Sequence, residues 1–289
     1  AAELNPISWK NFSSIHPFVP QSQITGYEKI ICDLESWISE IVGLDAVSFQ
    51  PNAGSQGEFA GLLAIKSYFL SKNDFDRKKC LIPKSAHGTN PASAVMAGFE
   101  VVSIDCDDEG NIDLEDLSKM VKDFGTQIGA LMLTYPSTHG VFEINIKKIC
   151  ELIHGIGALV YLDGANLNAQ VGLCKPGDYG VDVCHLNLHK TFCIPHGGGG
   201  PGVGPIAVSN KLKPFLPIHS LKKRVYPDNL DFSVSSAKFG SASILPISWM
   251  YIKMIGYKGL RKASSQAILS ANYIAFSLKD KFKILYKGE

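Results

Sequence analysis

Apolar and polar positions follow two periods along this chain. Apolar residues at helical spacing predict an amphipathic helix over 27–42, whereas short, nearly continuous apolar runs further along are typical of buried strands. Strands are predicted at 46–49, 80–82, 100–104, 130–134, 158–162, 183–188 and 205–208. Further helices are predicted at 58–70 and 247–278, and helical or loop segments at 90–98, 112–124 and 144–155. Strands that alternate with helices in this way indicate an α/β fold.

The alternation also predicts how the sheet is built. Right-handed crossovers give a mostly parallel sheet with helices on both faces, and ligands collect beyond the carboxyl ends of its strands. The flanking regions differ: 1–25 is proline-rich and predicts an extended arm, and 222–231 is polar and irregular. We therefore predict an arm at 1–25, a large ligand-binding domain at 26–245, and a connecting helix with an incomplete small domain at 246–289. A last strand is expected at 282–286.

Composition narrows the class of protein. Hydrophobic residues make up 45% of the 289 positions and charged residues 19%, which is typical of a chain with a sizeable core. The net charge of +1 gives no electrostatic case for nucleic acid or an acidic membrane surface. Neither a bilayer-spanning apolar run nor a signal-peptide pattern is present. The seven scattered cysteines favour reduced thiols in a cytosol or an organelle matrix.

Chemically capable residues follow successive predicted strands. The small-residue loop at 51–57 precedes a helix, where free N–H groups and the helix dipole favour an anion. Asp163 ends a buried strand, at a place where a carboxylate needs a cation or hydrogen-bond donors. Thr134 ends another strand, His87 lies in a loop after a third, and Lys190 stands between an apolar run and a glycine-rich loop. Each residue also has an ordinary structural interpretation: a turn, a helix cap, or a solvated side chain.

The order of these residues is more informative than any one of them. Thr134, Asp163 and Lys190 are separated by 29 and 27 positions, the length of one strand–helix unit. A phosphate loop, a carboxylate for a protonated ring nitrogen and a lysine amine together suit pyridoxal 5′-phosphate held as a Schiff base.

A metal site is the competing interpretation of the lysine segment. Cys184, His185, His189, Cys193 and His196 carry metal-binding side chains close together. Their spacing matches neither paired Cys-x-x-Cys motifs nor two helical histidines, so we predict no metal site. The pattern instead favours a strand with His185 and His189 on one face.

Several longer motifs resemble one family. They read SAHGTNPAS at 85–93, TYPSTHG at 134–140, YLDGAN at 161–166, HLNLHKTFCIPHGGGGPG at 185–202 and GSASILPISW at 240–249. Together they resemble glycine decarboxylase, the P-protein of the glycine cleavage system, whose large domain has the fold of type I pyridoxal-phosphate enzymes. The resemblance implies that 26–245 is the cofactor-binding domain.

The resemblance implies a role for each matching residue. Lys190 would form the Schiff base, Asp163 would face the pyridine nitrogen, and His87 would stack on the ring. Thr134 would reach the ring hydroxyl, and Ala165 would lie behind the other ring face. Lys190, His87 and Asp163 would be the catalytic residues.

Three further residues are implied for the phosphate: Ser55, Gln56 and His189. The chain also departs from the family pattern. Val95 replaces an expected histidine, which predicts a lost polar contact near the site. The order of small residues at 52–56 differs as well, although small residues remain small. The glycines at 197–204 are either a hinge or a close-packed turn.

The resemblance implies glycine decarboxylation, with transfer of the aminomethyl group to the lipoyl arm of the H-protein. It also implies that an N-terminal half and most of a small domain lie outside this sequence, so that an oligomer with that half is expected. The compartment would be the mitochondrial matrix in a eukaryote and the cytoplasm otherwise. Two alternatives remain open: another enzyme of the same cofactor class, such as an aminotransferase or desulfurase, and a truncated non-catalytic partner subunit.

Overall fold

The computed structural model of the chain describes residues 7–197, 200–219 and 231–286. Within these residues, seven strands form one sheet. They are β1 (Ala46–Ser48), β2 (Lys79–Pro83), β3 (Glu100–Ile104), β4 (Ile128–Thr134), β5 (Leu159–Gly164), β6 (Val183–Leu186) and β7 (Ile206–Val208). The order across the sheet is β1-β7-β6-β5-β4-β2-β3. Strands β2, β3, β4, β5 and β6 run parallel to their neighbours among these five, whereas β7 is antiparallel to both β6 and β1.

Helices connect the strands and flank the sheet. They are α1 (Lys10–Ser13), α2 (Thr25–Val42), α3 (Gly54–Ser71), α4 (Thr89–Met96), α5 (Leu114–Phe124), α6 (Ile146–Gly155), α7 (Leu188–Thr191) and α8 (Leu245–Leu278). Local chemistry explains several ends. The side chain of Asp113 caps the start of α5 by accepting hydrogen bonds from Glu115 N and Asp116 N. Helix α2 ends at Gly43, which has the left-handed backbone conformation.

Two apolar cores lie on opposite faces of the sheet. Along β5, Val160 and Leu162 belong to the core under α2, α5, α6 and α8, whereas Leu159 and Tyr161 belong to the core under α3 and α4. This alternation is the period of two that a strand imposes on its side chains. The predicted α/β fold, with a mostly parallel sheet covered on both faces, is confirmed.

The predicted elements are largely present, with four differences. The helix expected from residue 58 begins at Gly54, because the small residues before it already adopt helical backbone. The strand expected over 183–188 ends at Leu186 and a helical turn, α7, follows. The expected strand at 282–286 is wrong: amides 281 and 282 bond back to the Leu278 carbonyl, continuing a helical turn. The arm is not wholly extended, since it contains α1 and a 3-10 turn at Gln21–Gln23.

Other expectations are not decided by the fold. The irregular stretch predicted at 222–231 falls almost entirely outside the described residues, as do Gly198 and Gly199 of the glycine-rich run. The division into an arm, a large domain and an incomplete small domain stays a prediction. Among the residues described, no helix has the length and apolar character required to cross a membrane.

Candidate active site

Three polar side chains stand side by side at the carboxyl ends of neighbouring strands. Thr134 of β4 pairs with Asp163 of β5, and Asp163 pairs with His185 of β6. Each lies two positions beyond a residue of the core under α3 and α4, so all three project toward that face. The sheet register therefore builds a polar row at the edge where the sequence predicts a ligand.

The row opens into a cleft of about 1100 Å³. Its walls come from the start of α3, the loop before α4, the loops after β4 and β5, α7, and the second half of α8. Thr134, Asp163, His189 and Lys190 all line it. This volume is large enough for a cofactor together with a small substrate.

Asp163 is only 4% exposed and is oriented by its neighbours. Its Oδ1 accepts a hydrogen bond from the Ala165 amide at 3.0 Å and lies 3.4 Å from His185 Nε2. His185 Nδ1 contacts the Tyr161 hydroxyl at 2.8 Å. Burial holds the pKa of Tyr161 well above its usual value, so this hydroxyl keeps its proton. A phenol that donates to Nδ1 leaves the proton of a neutral imidazole on Nε2, the ring nitrogen that lies near Asp163.

The start of α3 forms an anion cradle. The first intrahelical bond runs from Gly57 N to Ala53 O, so the amides of residues 54–56 precede it. A Cβ at Gly54 would lie 2.4 Å from Asn187 Oδ1, which shows how closely the helix start approaches the end of β6. Ser55 lines the cleft from this first turn. Three free N–H groups and the helix dipole together favour a phosphate here.

Helix α7 presents two basic side chains to the same cleft. Lys190 is exposed in it, and His189 is half-buried. Burial lowers the pKa of His189, and the nearby His196 and Lys190 lower it further. The rings of His189 and His196 stack with centroids 4.5 Å apart. The amine is therefore accessible, while the imidazole beside it favours its neutral form.

Unsatisfied polar atoms collect in this cleft. Among the described residues, eight buried side-chain nitrogen or oxygen atoms have no hydrogen-bond partner in the protein, and four belong to cleft residues. These four are Thr134 Oγ1, Asn187 Oδ1, His189 Nδ1 and His196 Nδ1. Because leaving such atoms unpaired is costly, their concentration indicates a site built for a polar ligand.

Seven of the eight residues predicted from the sequence line the cleft: Ser55, His87, Thr134, Asp163, Ala165, His189 and Lys190. The exception is Gln56. Its Oε1 accepts a hydrogen bond from Asn52 N at 2.5 Å, and its Nε2 donates to Val234 O at 2.7 Å. The Gln56 side chain therefore ties down the loop before α3, because both ends of its amide are occupied by backbone groups.

The prediction for Val95 is not supported by its position. Its side chain is 62% exposed on α4 and does not line the cleft. A histidine on this face of α4 would meet solvent, so its replacement removes no contact within the cleft.

The described residues also bear on the metal alternative. Burial raises the pKa of the Cys184 thiol well above its usual range, and its Sγ donates to the His185 carbonyl. Cys193 is exposed. One group with metal-ligating atoms within 4.8 Å of one another is Glu58, Asp163 and His185, which is not the set considered from the sequence. Both Glu58 oxygens already accept hydrogen bonds from hydroxyl groups.

Sequence reasoning missed several cleft residues. Glu58, Thr89, Asn187, His196 and four residues of α8 line the cleft without having been assigned a part in it. For Glu58 a signal existed: it is the one acidic residue in the largely apolar sequence of α3, and it is 3% exposed. The contribution of α8 had no local signal, because it depends on how the chain folds back over the sheet.

Solved structures share this architecture. An Oryza sativa TDC crystallised with PLP and tryptamine superposes with a TM-score of 0.62 at 15% identity, over 83% of this chain and 55% of that one. The inhibitor-bound glycine decarboxylase (P-protein) of the glycine cleavage system gives a TM-score of 0.66 at 19% identity, over 86% and 58%. The fold is that of the type I pyridoxal-phosphate enzymes, with the cleft at the carboxyl edge of the sheet.

The sequence comparison is more specific. The family model for the glycine cleavage system P-protein matches residues 24–219. The glycine dehydrogenase (decarboxylating) of Prochlorococcus marinus strain NATL2A is 64% identical over 287 residues, which are 99% of this chain and 30% of that protein. The chain belongs to the glycine cleavage system P-protein family. It spans about a third of the length of the curated relatives it matches.

Proposed function

We propose that the cleft binds pyridoxal 5′-phosphate and that the protein of which this chain is part decarboxylates glycine. The observation that carries the proposal is the convergence of an exposed lysine, a buried carboxylate and unpartnered polar atoms in one cleft. Family membership supports the same cofactor and the same substrate.

The cleft residues fit the separate parts of this cofactor. Ser55, the free amides at the start of α3, and His189 would hold the phosphate. The unpartnered Thr134 hydroxyl would donate to the ring oxygen. His87 and Ala165 would cover the two ring faces, and Lys190 would attach to the aldehyde carbon.

Asp163 has the chemistry needed to control the cofactor ring. Ala165 N donates to its Oδ1 and His185 Nε2 lies 3.4 Å from the same oxygen, so the oriented carboxyl group would accept a hydrogen bond from a protonated ring nitrogen. When bound, the cofactor supplies an electron sink for the electron pair left as carbon dioxide departs from glycine. Asp163 contributes by keeping that ring nitrogen protonated.

The remaining cleft residues would move a proton, exclude water and orient the bound molecules. Lys190 would hold the cofactor through its amine, and the same amine would be in place to move a proton within the cleft. The walls from α8, including Ala267 and Ile268, would exclude water around the glycine carboxylate. The anion cradle would fix the phosphate end of the cofactor, which would leave the substrate to bind beside Lys190.

The partner that we propose is the lipoylated H-protein of the same cleavage system, consistent with the family match. The aminomethyl carbon would bond to one sulfur of the lipoyl disulfide, and the disulfide would be reduced as carbon dioxide is released. We further propose an assembly with the part of the protein outside this chain. A non-catalytic partner subunit is disfavoured, because Lys190, Asp163 and His87 all reach the cleft.

Other activities of this cofactor class are also disfavoured. The structures named above share the fold at under 20% identity, whereas the P-protein relative is 64% identical across nearly the whole chain. An aminotransferase or desulfurase activity would therefore be an exception within a family whose members decarboxylate glycine.

The test uses the intact protein, with cofactor and lipoylated H-protein added. We expect labelled bicarbonate to exchange into the carboxyl group of glycine, and Lys190→Ala to abolish the exchange. Lys253→Ala, which removes a lysine over Trp249 on α8, is the matched control and should exchange normally. Exchange that persists in Lys190→Ala, or a wild-type protein that binds cofactor yet responds to other amino acids but not to glycine, would overturn the proposal.

The compartment is proposed on indirect grounds. The seven scattered cysteines are consistent with a reducing compartment: a mitochondrial matrix in a eukaryote or a cytoplasm otherwise. The P-protein relative named above comes from the cyanobacterium Prochlorococcus marinus. Fractionation of the source cells, with detection of the intact protein, tests the assignment.

A further inference from the structure

A buried carboxylate in the cleft has no part in the chemistry described so far. Glu58 of α3 is 3% exposed and lines the cleft. Its Oε1 accepts a hydrogen bond from the Thr89 hydroxyl at 2.7 Å, and its Oε2 accepts one from the Ser93 hydroxyl at 2.8 Å. Each oxygen of this buried carboxyl group therefore accepts a hydrogen bond from a hydroxyl group.

Thr89 links this carboxylate to His87. The Thr89 Oγ1 atom lies 2.8 Å from His87 Nδ1, and the Thr89 backbone N–H points at the same nitrogen with donor geometry at 3.2 Å. These two contacts can favour opposite protonation states of Nδ1. The amide can only donate, so it favours an unprotonated Nδ1, whereas the hydroxyl can either donate or accept.

Glu58 determines the direction in which the Thr89 hydroxyl hydrogen points. A threonine hydroxyl has a single hydrogen, and Glu58 takes it. The shorter contact, from Thr89 Oγ1 to His87 Nδ1, is then a hydrogen bond only if Nδ1 carries the proton. Without the carboxylate, the hydroxyl hydrogen is free to turn toward Nδ1 and join the amide as a second donor.

We propose that Glu58 is a positioning residue that, through Thr89, fixes His87 in the tautomer protonated at Nδ1. This leaves Nε2 as the acceptor nitrogen of the imidazole, and it holds the ring in one orientation. The functional consequence, a ring pre-oriented to cover the cofactor, rests on the function proposed above; the tautomer itself does not.

The test is a measurement of the tautomer without cofactor. The intact protein is labelled with 15N-histidine, and solid-state 15N spectra are recorded at a pH where His87 is neutral, with His87→Gln supplying the difference spectrum. We expect Nδ1 to be protonated in the wild type. In Glu58→Gln the tautomer should switch to Nε2–H, because the amide group can donate to Thr89 and release its hydroxyl hydrogen.

Three further variants distinguish the link from Glu58 through Thr89 to His87 from a general disturbance of the local structure. Thr89→Ala leaves only the backbone donor and should also give Nε2–H, whereas Thr89→Ser keeps the hydroxyl and should retain Nδ1–H. Ser93→Ala removes a hydrogen bond from Glu58 without touching His87 and should retain Nδ1–H. The proposal is overturned if the wild type is protonated at Nε2, or if Thr89→Ala and Thr89→Ser give the same tautomer. Thr89 variants keep the test decisive even if Glu58→Gln does not fold.

Cofactor binding is a second readout. If His87 covers the ring, Glu58→Gln and Thr89→Ala should weaken cofactor affinity by about fivefold to tenfold, the range of one hydrogen-bonded positioning contact, while Thr89→Ser should bind as the wild type does. A wild type that binds no cofactor contradicts the proposed function and leaves the tautomer result standing. A switched tautomer with unchanged affinity contradicts the positioning role.

Discussion

The imidazole rings of His189 and His196 stack in the cleft, with centroids 4.5 Å apart and planes inclined by 24°. Burial lowers the pKa of His189, and the charges of His196 and Lys190 lower it further. His189 is thus held mainly neutral beside the anion cradle, although a phosphate there would favour its charged form. Phosphate binding and protonation of His189 are therefore coupled.

The coupling predicts a pH dependence of cofactor affinity. As pH falls from about 7.5 to 5.5, protonated His189 gains a charged hydrogen bond to the phosphate, so affinity should rise by up to roughly tenfold. Pyridoxine 5′-phosphate is the suitable ligand, because it lacks the aldehyde and so avoids reaction with Lys190. Its dissociation constant should be measured across this range by fluorescence quenching.

The matched control for this titration is His189→Gln. It keeps a polar side chain but cannot be protonated, and the ligand's own phosphate ionisation affects both proteins equally. The difference between the two pH profiles therefore isolates His189. Parallel profiles for the two proteins would contradict the predicted coupling.

A second cluster, centred on Asp182, predicts how stability depends on pH. Asp182 is 4% exposed and accepts hydrogen bonds from Val160 N at 2.8 Å, His154 Nε2 at 2.8 Å and Lys211 Nζ at 2.6 Å. Burial alone would raise its pKa, but the bonds from His154 and Lys211, with that from Val160, outweigh burial and lower it. A lowered folded-state pKa means that Asp182 stabilises the fold above its unfolded pKa of about 3.9.

This stabilisation should be lost as pH falls below about 3.9 and through the folded-state pKa. Asp182→Asn should lower the free energy of unfolding by about 2 kcal/mol at pH 7, less than for a fully buried pair because His154 and Lys211 reach solvent. Melting temperatures at pH 7 and pH 3 measure both effects. Asp108→Asn, an exposed carboxylate in a turn, should change the melting temperature little at either pH.

The strands and the strand-end residues could be predicted because short-range patterns determine them. Buried parallel strands appear as apolar runs, and Thr134, Asp163 and Lys190 each follow such a run. Sheet register then brings these residues together without any further signal. The spacing of one strand–helix unit places successive strands beside one another, which is why chemistry at three distant positions converges.

Other features could not be predicted because they depend on tertiary packing. The expected strand at 282–286 does not pair; Tyr286 instead stacks on His139 with ring centroids 4.3 Å apart. Gln56 was expected at the phosphate, yet its side chain bonds to backbone 178 residues away at Val234. Both outcomes are set by partners far along the chain, which periodicity within a window of residues does not contain.

The exposed position of Val95 gives a third prediction. Because Val95 is 62% exposed and does not line the cleft, Val95→His should change cofactor affinity by less than about twofold and stability by less than about 0.5 kcal/mol. Equilibrium binding and thermal unfolding of the intact protein measure the two quantities. His87→Gln, at a residue that lines the cleft, is the positive control and should weaken binding clearly. A fivefold effect of Val95→His would mean that this face of α4 contributes to the site.

A close contact beneath the anion cradle gives the last prediction. A Cβ at Gly61 of α3 would lie 2.5 Å from Tyr161 Cε2 and 2.8 Å from Val183 Cγ1, in side chains that are fully buried. Since neither can move aside cheaply, Gly61→Ala should cost about 1–3 kcal/mol of stability and displace α3 from the sheet. Cofactor affinity should fall as well, because the amides of the cradle belong to the same helix.

Gly26 supplies the matched substitution for that experiment. It lies in the first turn of α2, and a Cβ there would meet no atom within 4 Å. Gly26→Ala should therefore leave stability unchanged or raise it by up to about 1 kcal/mol, because alanine restricts the unfolded chain. Both variants should be melted without cofactor, since ligand binding itself raises the melting temperature. Equal melting temperatures for Gly61→Ala and Gly26→Ala would show that α3 can retreat from Tyr161 without cost, and that the position of the cradle does not depend on this contact.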